Sequence, residues 1–428
     1  MKPYGRKVAI VGGSRIPFAR SNGPYSHKSN QEMLTAAFKG VVDKFQLHGE
    51  QIGEVAAGAV LKHSRDFNLC RESVLSSGLS ALTPAYDVQM ACGTGLQAAI
   101  NIANKIALGQ IESGIAGGTD TTSDAPIAVN DKLRKILLDA NRAKTTGQKL
   151  AALARIRPSM LAPATPTNGE PRTRMSMGQH CELMAKEWKI ARADQDQLAY
   201  ESHKKAAAAY DAGFYDDLIV PFGGLTRDNN LRGDTTIEKL ATLSPAYDKK
   251  SGQGTLTAGN STPLTDGSSA VLLASEDWCK ARGVKPLAYL THAQTSAVDF
   301  AGPGKEGLLI APAYAVPQML ARAGIKLQDF DFYEIHEAFA AQVLCTLKAW
   351  ESEDYCKKVL GLPGALGSID RSKLNVKGGS LAAGHPFAAT GGRIIASLAK
   401  IIDENKGGRG LISICAAGGL GVTAIIER

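Results

Sequence analysis

Two stretches far apart in the chain follow one plan. Cys92-Gly-Thr-Gly opens a helix-like run that leads to Ile115-Ala-Gly-Gly, and Ala388-Ala-Thr-Gly opens another that leads to Ile414-Cys-Ala-Ala-Gly-Gly. The pairs Thr94-Gly95 and Thr390-Gly391 fall at the same place before each helix. A repeat this long is not a solenoid. It points to two similar βα halves packed face to face, with a site where two helix N-termini converge. Chance similarity between two buried βα units is the alternative.

The flanking sequence supports two α/β halves. Lys7–Val11, Glu54–Leu61, Tyr86–Met90 and Gly114–Gly117 read as strands, Gln31–Phe45 and Cys92–Leu108 as helices. Towards the end, Pro286–Thr291, Phe330–Ile335 and Leu374–Val376 read as strands. Ala313–Ala323, Ala338–Trp350 and Ala388–Ile402 read as helices, the first interrupted by Pro317. Leu411–Cys415 and Gly421–Glu427 form a hairpin pattern. Such alternation predicts a sheet covered by helices on both faces.

The middle is different in kind. Residues 124–253 are richer in charge, Met and Pro. They hold a basic amphipathic helical pattern at 131–157, a Pro-rich loop, and a helix at Arg192–Asp211. The expected division is 1–123 plus 254–285 for the first half, 124–253 for an inserted loop domain that covers the site, and 286–428 for the second half. Binding residues often lie on such covers.

Charge and cysteine usage narrow the function. A net charge of +8 over 428 residues suits an anionic ligand such as a phosphorylated cofactor, without the Lys/Arg blocks of a nucleic-acid binder. Seven scattered cysteines with no CxxC pair argue against a disulfide framework or zinc site and for a reducing compartment. The N-terminal MKPYGRKVAIVGGSRIPF is basic, but its apolar run is too short for a signal peptide. No run approaches the roughly 20 apolar residues that span a bilayer. A cytoplasmic protein is expected.

Four stretches are chemically loaded. In MACGTG, Cys92 is either a compact packing residue or a thiol activated at a helix N-terminus, with Gly93 and Gly95 allowing the turn and the approach of substrate. In GHPFAATGG, His385 is either a core histidine or the base of a Cys–His pair. In YEIHEAFAAQ, His336 is either structural or a donor to a developing oxyanion, and Glu337 is a candidate helix cap. In ISICAAGGLG, Cys415 is either a buried small residue or the edge of a backbone anion nest. No HExxH follows His336, and no stretch matches GxGxxG in a βαβ context or GxxxxGK[ST]. Metal, nicotinamide and nucleotide-hydrolase readings are therefore poorly supported.

Together these stretches resemble the thiolase family over essentially the whole chain. The family carries a nucleophilic Cys before a glycine turn, an (N/H)EAF motif, a GHP motif and a second Cys before a Gly-rich turn, in that order. Here they are Cys92, His336-Glu337-Ala338-Phe339, Gly384-His385-Pro386 and Cys415. His336 stands where many thiolases have Asn, and GHPFAATGG and CAAGGLG depart from the commonest forms. With the basic insertion, these variants look like the trifunctional-enzyme β-subunit type.

The resemblance implies a layered α-β-α-β-α fold with an inserted loop domain, and thiolytic cleavage of 3-ketoacyl-CoA in fatty-acid β-oxidation. It implies Cys92 as nucleophile, His385 as base, Cys415 as acid, His336 and His385 as donors to the thioester oxygen, and backbone N–H groups of Cys92 and Ala417 as an oxyanion hole. Met177, Thr262 and Phe339 are the expected substrate or CoA contacts; Thr262 replaces a family Ser. CoA and acyl-CoA enter as substrates, with no permanently bound cofactor or metal. The expected assembly is a homodimer or dimer of dimers, alongside a hydratase/dehydrogenase α-subunit. The rivals are a biosynthetic acetyl-CoA acetyltransferase, a ketosynthase, and a non-catalytic acyl-CoA-binding or scaffold subunit. The 131–157 segment reads as a solvated lid, with membrane or partner contact as the rarer alternative.

Overall fold

The computed structural model describes residues 5–302 and 306–428. The first four residues of the basic N-terminal stretch lie outside them. The strands are β1 (Val8–Arg15), β2 (Ala19–Arg20), β3 (Glu54–Ala57), β4 (Ala85–Asp87), β5 (Ser113–Asp120), β6 (Thr265–Ser275), β7 (Ala288–Ala297), β8 (Phe332–Ile335), β9 (Arg409–Ala416) and β10 (Leu420–Glu427). All lie in one ten-stranded sheet of order β4-β3-β5-β6-β1-β7-β10-β9-β8, with β2 beside β6.

The repeat is visible in the pairing. In the first half β4, β3 and β5 run parallel, and β6 and then β1 follow antiparallel. In the second half β8 and β9 are parallel, and β10 and then β7 follow antiparallel. The halves are not separate sheets. They join edge to edge where Ala9 pairs with Tyr289 and Ile10 with Ala288.

Side chains alternate across a strand, so each strand feeds two cores. Val271 and Leu273 of β6 enter the central core, while Leu272 and Ala274 enter the outer core of the first half. Ile412 and Ile414 of β9 point centrally, while Leu411 and Cys415 point into the outer core of the second half. The central core is built on two helices, Thr94–Ala107 and Thr390–Glu404, which contact each other and strands of both halves. Asn30–Lys44 covers the outer face of β1, β5 and β6; Pro312–Ala323 covers β7, β9 and β10. The layers are therefore α-β-α-β-α.

Several expected elements differ, each for a local reason. The strand expected at Glu54–Leu61 ends at Ala57, because the Val60 and Leu61 N–H groups bond the Asp120 carboxylate instead of a neighbouring strand. The strand at Tyr86–Met90 shrinks to Ala85–Asp87. Leu374–Val376 keeps a single bridge, Leu374 to Tyr333, since Asn375 turns left-handed (φ 44°) and its side chain takes Ile335 N–H and C=O. The basic pattern at 131–157 is two helices, Asp131–Arg142 and Thr146–Leu153, the second capped by Thr145. Strand β6 was not anticipated, because TDGSSAVLLAS begins with small polar residues rather than β-branched ones. Helix Met177–Glu187 was also missed, although Ser176 and Gln179 form its capping box.

The two central helices touch at their first turns. A Cβ on Gly95 would lie 2.6 Å from the Ala388 carbonyl oxygen, and one on Gly391 would collide with the backbone of Leu96 and Gly95. These glycines admit the other half of the molecule rather than substrate. Gly391→Ala should destabilise by about 3 kcal/mol or more in urea unfolding, because backbone cannot yield as a side chain can. Gly147→Ala, where a Cβ meets nothing within 4 Å, should change stability by no more than about 1 kcal/mol.

Candidate active site

The chain leaves β4 and turns sharply before the first central helix. Ala91 sits at φ 46°, an uncommon conformation for a residue with a side chain. Thr94 holds it: its hydroxyl oxygen accepts from Met90 N–H at 2.8 Å and donates to the Ala91 carbonyl at 2.7 Å. Cys92, half-buried, is presented by this turn two residues ahead of the helix.

His385 arrives from the other half. Gly384 adopts φ 99°, and the His385 N–H donates to Thr265 Oγ1 at 2.7 Å. Its Nδ1 lies 2.6 Å from Thr390 Oγ1 and its Nε2 lies 3.0 Å from Cys92 Sγ. The two threonines of the repeat thus serve both halves of the site. Thr94 clamps the cysteine turn, and Thr390 orients the histidine.

His336 directly follows β8, with its N–H on the Ser413 carbonyl at 2.8 Å. Its ring centroid is 4.1 Å from that of His385. Its Nδ1 is 2.8 Å from Ser380 Oγ, and its Nε2 is buried with no partner among the described residues. Glu337 does not cap the helix that follows it: Ala340–Glu351 has no side-chain cap. The Glu337 carboxylate instead accepts from Asn375 Nδ2, Ser202 Oγ and Leu381 N–H, tying down the segment that leads to His385. A Cβ on Gly379 would overlap that carboxylate.

Cys415, 1% exposed, lies one residue before the end of β9, and burial, then the neighbouring Cys92, raise its thiol. The backbone N–H groups of Ala417, just beyond it, and of Cys92 itself favour the Cys92 thiolate. Glu170 of the inserted segment accepts from the adjacent Gly418 N–H at 2.7 Å, bracing this turn. Asp120 accepts from Val60, Leu61 and Ala388 N–H, so one carboxylate of the first half holds the residue three past His385. Neither Glu170 nor Asp120 was expected from the sequence.

The remaining expected contacts are unequal. Phe339 is buried, with its ring edge-on to Tyr247. Met177 is half-buried against the same core. Thr262 gives both N–H and hydroxyl to the Ala338 carbonyl, so its hydroxyl is committed to the HEAF segment.

Burial governs the charges. It pushes the Cys92 thiol up to about 12, with the Ala417 and Cys92 N–H groups opposing and Asp120 adding to the rise. It pushes His385 down to about 3, helped by the Arg393 cation. His336 is also held well below its ordinary value by burial, then by His385 and Arg393, and the Cys415 thiol well above its own. The helix N-terminus does not make a resting thiolate here. The pair rests as neutral thiol and neutral imidazole, which is what a base needs before it takes a proton. Cys92, His336 and His385 bring their donor atoms within 4.8 Å of one another.

A strand-turn-helix cysteine from one half, facing a histidine and a second cysteine from the other, on this five-layered fold, defines a thiolase-type acyltransferase. The thiolase N-terminal domain model matches residues 8–277 and the C-terminal domain model residues 284–428, and the chain belongs to this family. It is 43% identical over 429 aligned residues to a 3-ketoacyl-CoA thiolase of Shewanella sediminis, covering 99% of this chain and 97% of that one. It is 42% identical, with the same coverage, to a 3-ketoacyl-CoA thiolase of Pectobacterium carotovorum. Among solved structures, the acetyl-CoA acetyltransferase of Bacillus anthracis superposes with a TM-score of 0.81 at 29% identity over 100% of both chains. Human mitochondrial 3-ketoacyl-CoA thiolase in complex with CoA superposes with a TM-score of 0.80 at 29% identity, over 99% of this chain and 98% of that one.

The neutral pair has a spectroscopic consequence. With the Cys92 thiol raised and the His385 imidazolium lowered, the thiolate fraction stays negligible at neutral pH. The 240 nm difference between wild type and Cys92→Ser should show no thiolate between about pH 6 and pH 9 and should rise only in stronger alkali. A step below pH 8 would mean a resting ion pair instead.

Proposed function

We propose that this enzyme cleaves 3-ketoacyl-CoA with CoA to acetyl-CoA and a shortened acyl-CoA, through an acyl-enzyme on Cys92. The observation that carries the reading is His385 Nε2 at 3.0 Å from Cys92 Sγ. In this mechanism His385 takes the Cys92 proton as sulfur attacks the 3-keto carbon. The oxyanion forms between the N–H groups of Cys92 and Ala417. Collapse breaks the bond between C2 and C3, leaves the acyl group on Cys92, and expels the enolate of acetyl-CoA. Cys415 gives that enolate its proton, while His336 and His385 donate to the thioester oxygen. The Cys415 thiolate then deprotonates an incoming CoA, whose sulfur takes the acyl group. The Cys92 sulfur leaves and recovers the proton held on His385. Run backwards, the cycle is a Claisen condensation.

The 3-ketoacyl-CoA thiolases among the relatives support the degradative direction; we assign the enzyme to fatty-acid β-oxidation in the cytoplasm, with condensation of two acetyl-CoA as the second reading. We further assign substrate contacts to Met177 and Phe339, with a lesser role for Thr262. The inserted segment 124–253 acts as the cover between the two halves, 1–123 plus 254–285 and 286–428. The free edge of β4, half-exposed and leading straight to Cys92, favours assembly with a second copy. His336 in place of Asn, with the helical insertion, favours the trifunctional-enzyme β-subunit type and a hydratase/dehydrogenase partner.

Cys415→Ala separates the two half-reactions. It should still accept an acyl group from a simple acyl-CoA onto Cys92. It should lose 3-ketoacyl-CoA thiolysis by about 100- to 10,000-fold, the range of a lost general acid. Full thiolysis in that variant would remove the acid role from Cys415.

A further inference from the structure

An Asn amide at position 336 would always offer an N–H donor. An imidazole offers one at Nε2 only when its proton sits there. A histidine that serves as oxyanion donor therefore needs something to choose its tautomer. We propose that Ser380 and Arg393 do this, fixing His336 as the Nε2–H form so that it presents a donor to the substrate thioester oxygen. The proposal deepens the reading of this site given above and rests on it.

The chain of donors has one direction. A guanidinium can only donate. Arg393 Nη2 donates to Ser380 Oγ at 2.8 Å, and Ser380 Oγ lies 2.8 Å from His336 Nδ1. Ser380 has one hydroxyl proton and is fully buried. If Nδ1 carried the imidazole proton, the hydroxyl would receive two donors. Its own proton would then have no acceptor among the described residues. The hydroxyl proton therefore goes to Nδ1, and the imidazole proton goes to Nε2. That Nε2 is the buried atom left without a partner among the described residues, and His336 brings a ring nitrogen within 4.8 Å of Cys92 Sγ and of a His385 nitrogen. A buried donor without a protein partner is free to meet an acceptor on the substrate, directly or through a water.

His385 has the opposite arrangement. Thr390 Oγ1 sits at its Nδ1 and the Cys92 thiol at its Nε2. A thiol that donates its proton to Nε2 leaves the imidazole proton on Nδ1, directed at Thr390. Two adjacent imidazoles, their planes tilted 46° to each other, thus face the substrate with opposite functions, one lone pair and one N–H. Each is set by the hydroxyl behind it. Glu334 lies buried 3.7 Å from Arg393 Nη1; burial pushes its carboxyl up to about 7, opposed by the Arg393 cation. Burial and the same cation keep His336 from gaining a second proton. Ser380 and Arg393 touch no reacting atom in this scheme; they are positioning residues.

The direct test is long-range ¹H–¹⁵N NMR of histidine-labelled enzyme, with the His336 signals assigned by their loss in His336→Asn. The proposal requires an unprotonated Nδ1 and a protonated Nε2 on His336. A protonated Nδ1 overturns it, whether or not the enzyme proves to be a thiolase. The kinetic test is a double-mutant cycle on acetoacetyl-CoA thiolysis. Ser380→Ala should lower kcat about 10- to 100-fold in the wild-type background, with KM nearly unchanged. It should have no further effect in the His336→Asn background, where the amide needs no tautomer. Equal losses in both backgrounds would mean a merely structural role, and no loss in either would remove Ser380 from the scheme. Absence of thiolysis in the wild type would instead overturn the substrate assignment, leaving the NMR result to stand alone.

Discussion

Everything in the site depends on the contact between the first turns of two helices. Thr94–Ala107 and Thr390–Glu404 approach so closely at Gly95 and Gly391 that backbone meets backbone. The two β-sheet halves are continuous through β1 and β7, and they bring these helices together in the central layer. Cys92 precedes one helix and His385 precedes the other, so their 3.0 Å separation is a property of the seam. The threonine at the head of each helix converts this packing into local geometry.

The seam also explains why the site is neutral at rest. Two helices, the ends of β8 and β9, and the β9–β10 turn surround the site, and His336, His385 and Cys415 are buried. Burial raises both thiols and lowers both imidazoles. Charge therefore appears only during reaction, where the proposed mechanism assigns the N–H groups of Cys92 and Ala417 to receive it. Donors fixed before the charge forms cost no reorganisation when it does. The buried carboxylates have supporting tasks. Glu337 fastens residues 375–381, and Asp120 fastens Ala388 from the opposite half.

Much of this was legible in the sequence, because it rests on patterns with a period or an order. The Thr-Gly repeat announced two similar halves, and β-type alternation located most strands. The ordered set Cys92, His336, His385 and Cys415 indicated the family. What was not legible depended on contacts across the fold. Gly95 looked like a concession to substrate, but its neighbour is Ala388. Glu337 looked like a helix cap, but its partners are Ser202, Asn375 and Leu381, in two distant segments. Asn375 broke an expected strand because its side chain serves Ile335. Ser380 and Arg393 belong to no local motif, so their relation to His336 needed the structure.

The central claim is that the acyl group passes through Cys92, across the seam from its base. The most direct measurement is a single turnover with a 3-ketoacyl-CoA in the absence of free CoA, followed by peptide mass spectrometry. The account predicts one equivalent of acetyl-CoA released and the shortened acyl group attached to the peptide that contains Cys92, with neither seen in Cys92→Ala. Release of acetyl-CoA with the acyl group on Cys415, or on no residue, would contradict it.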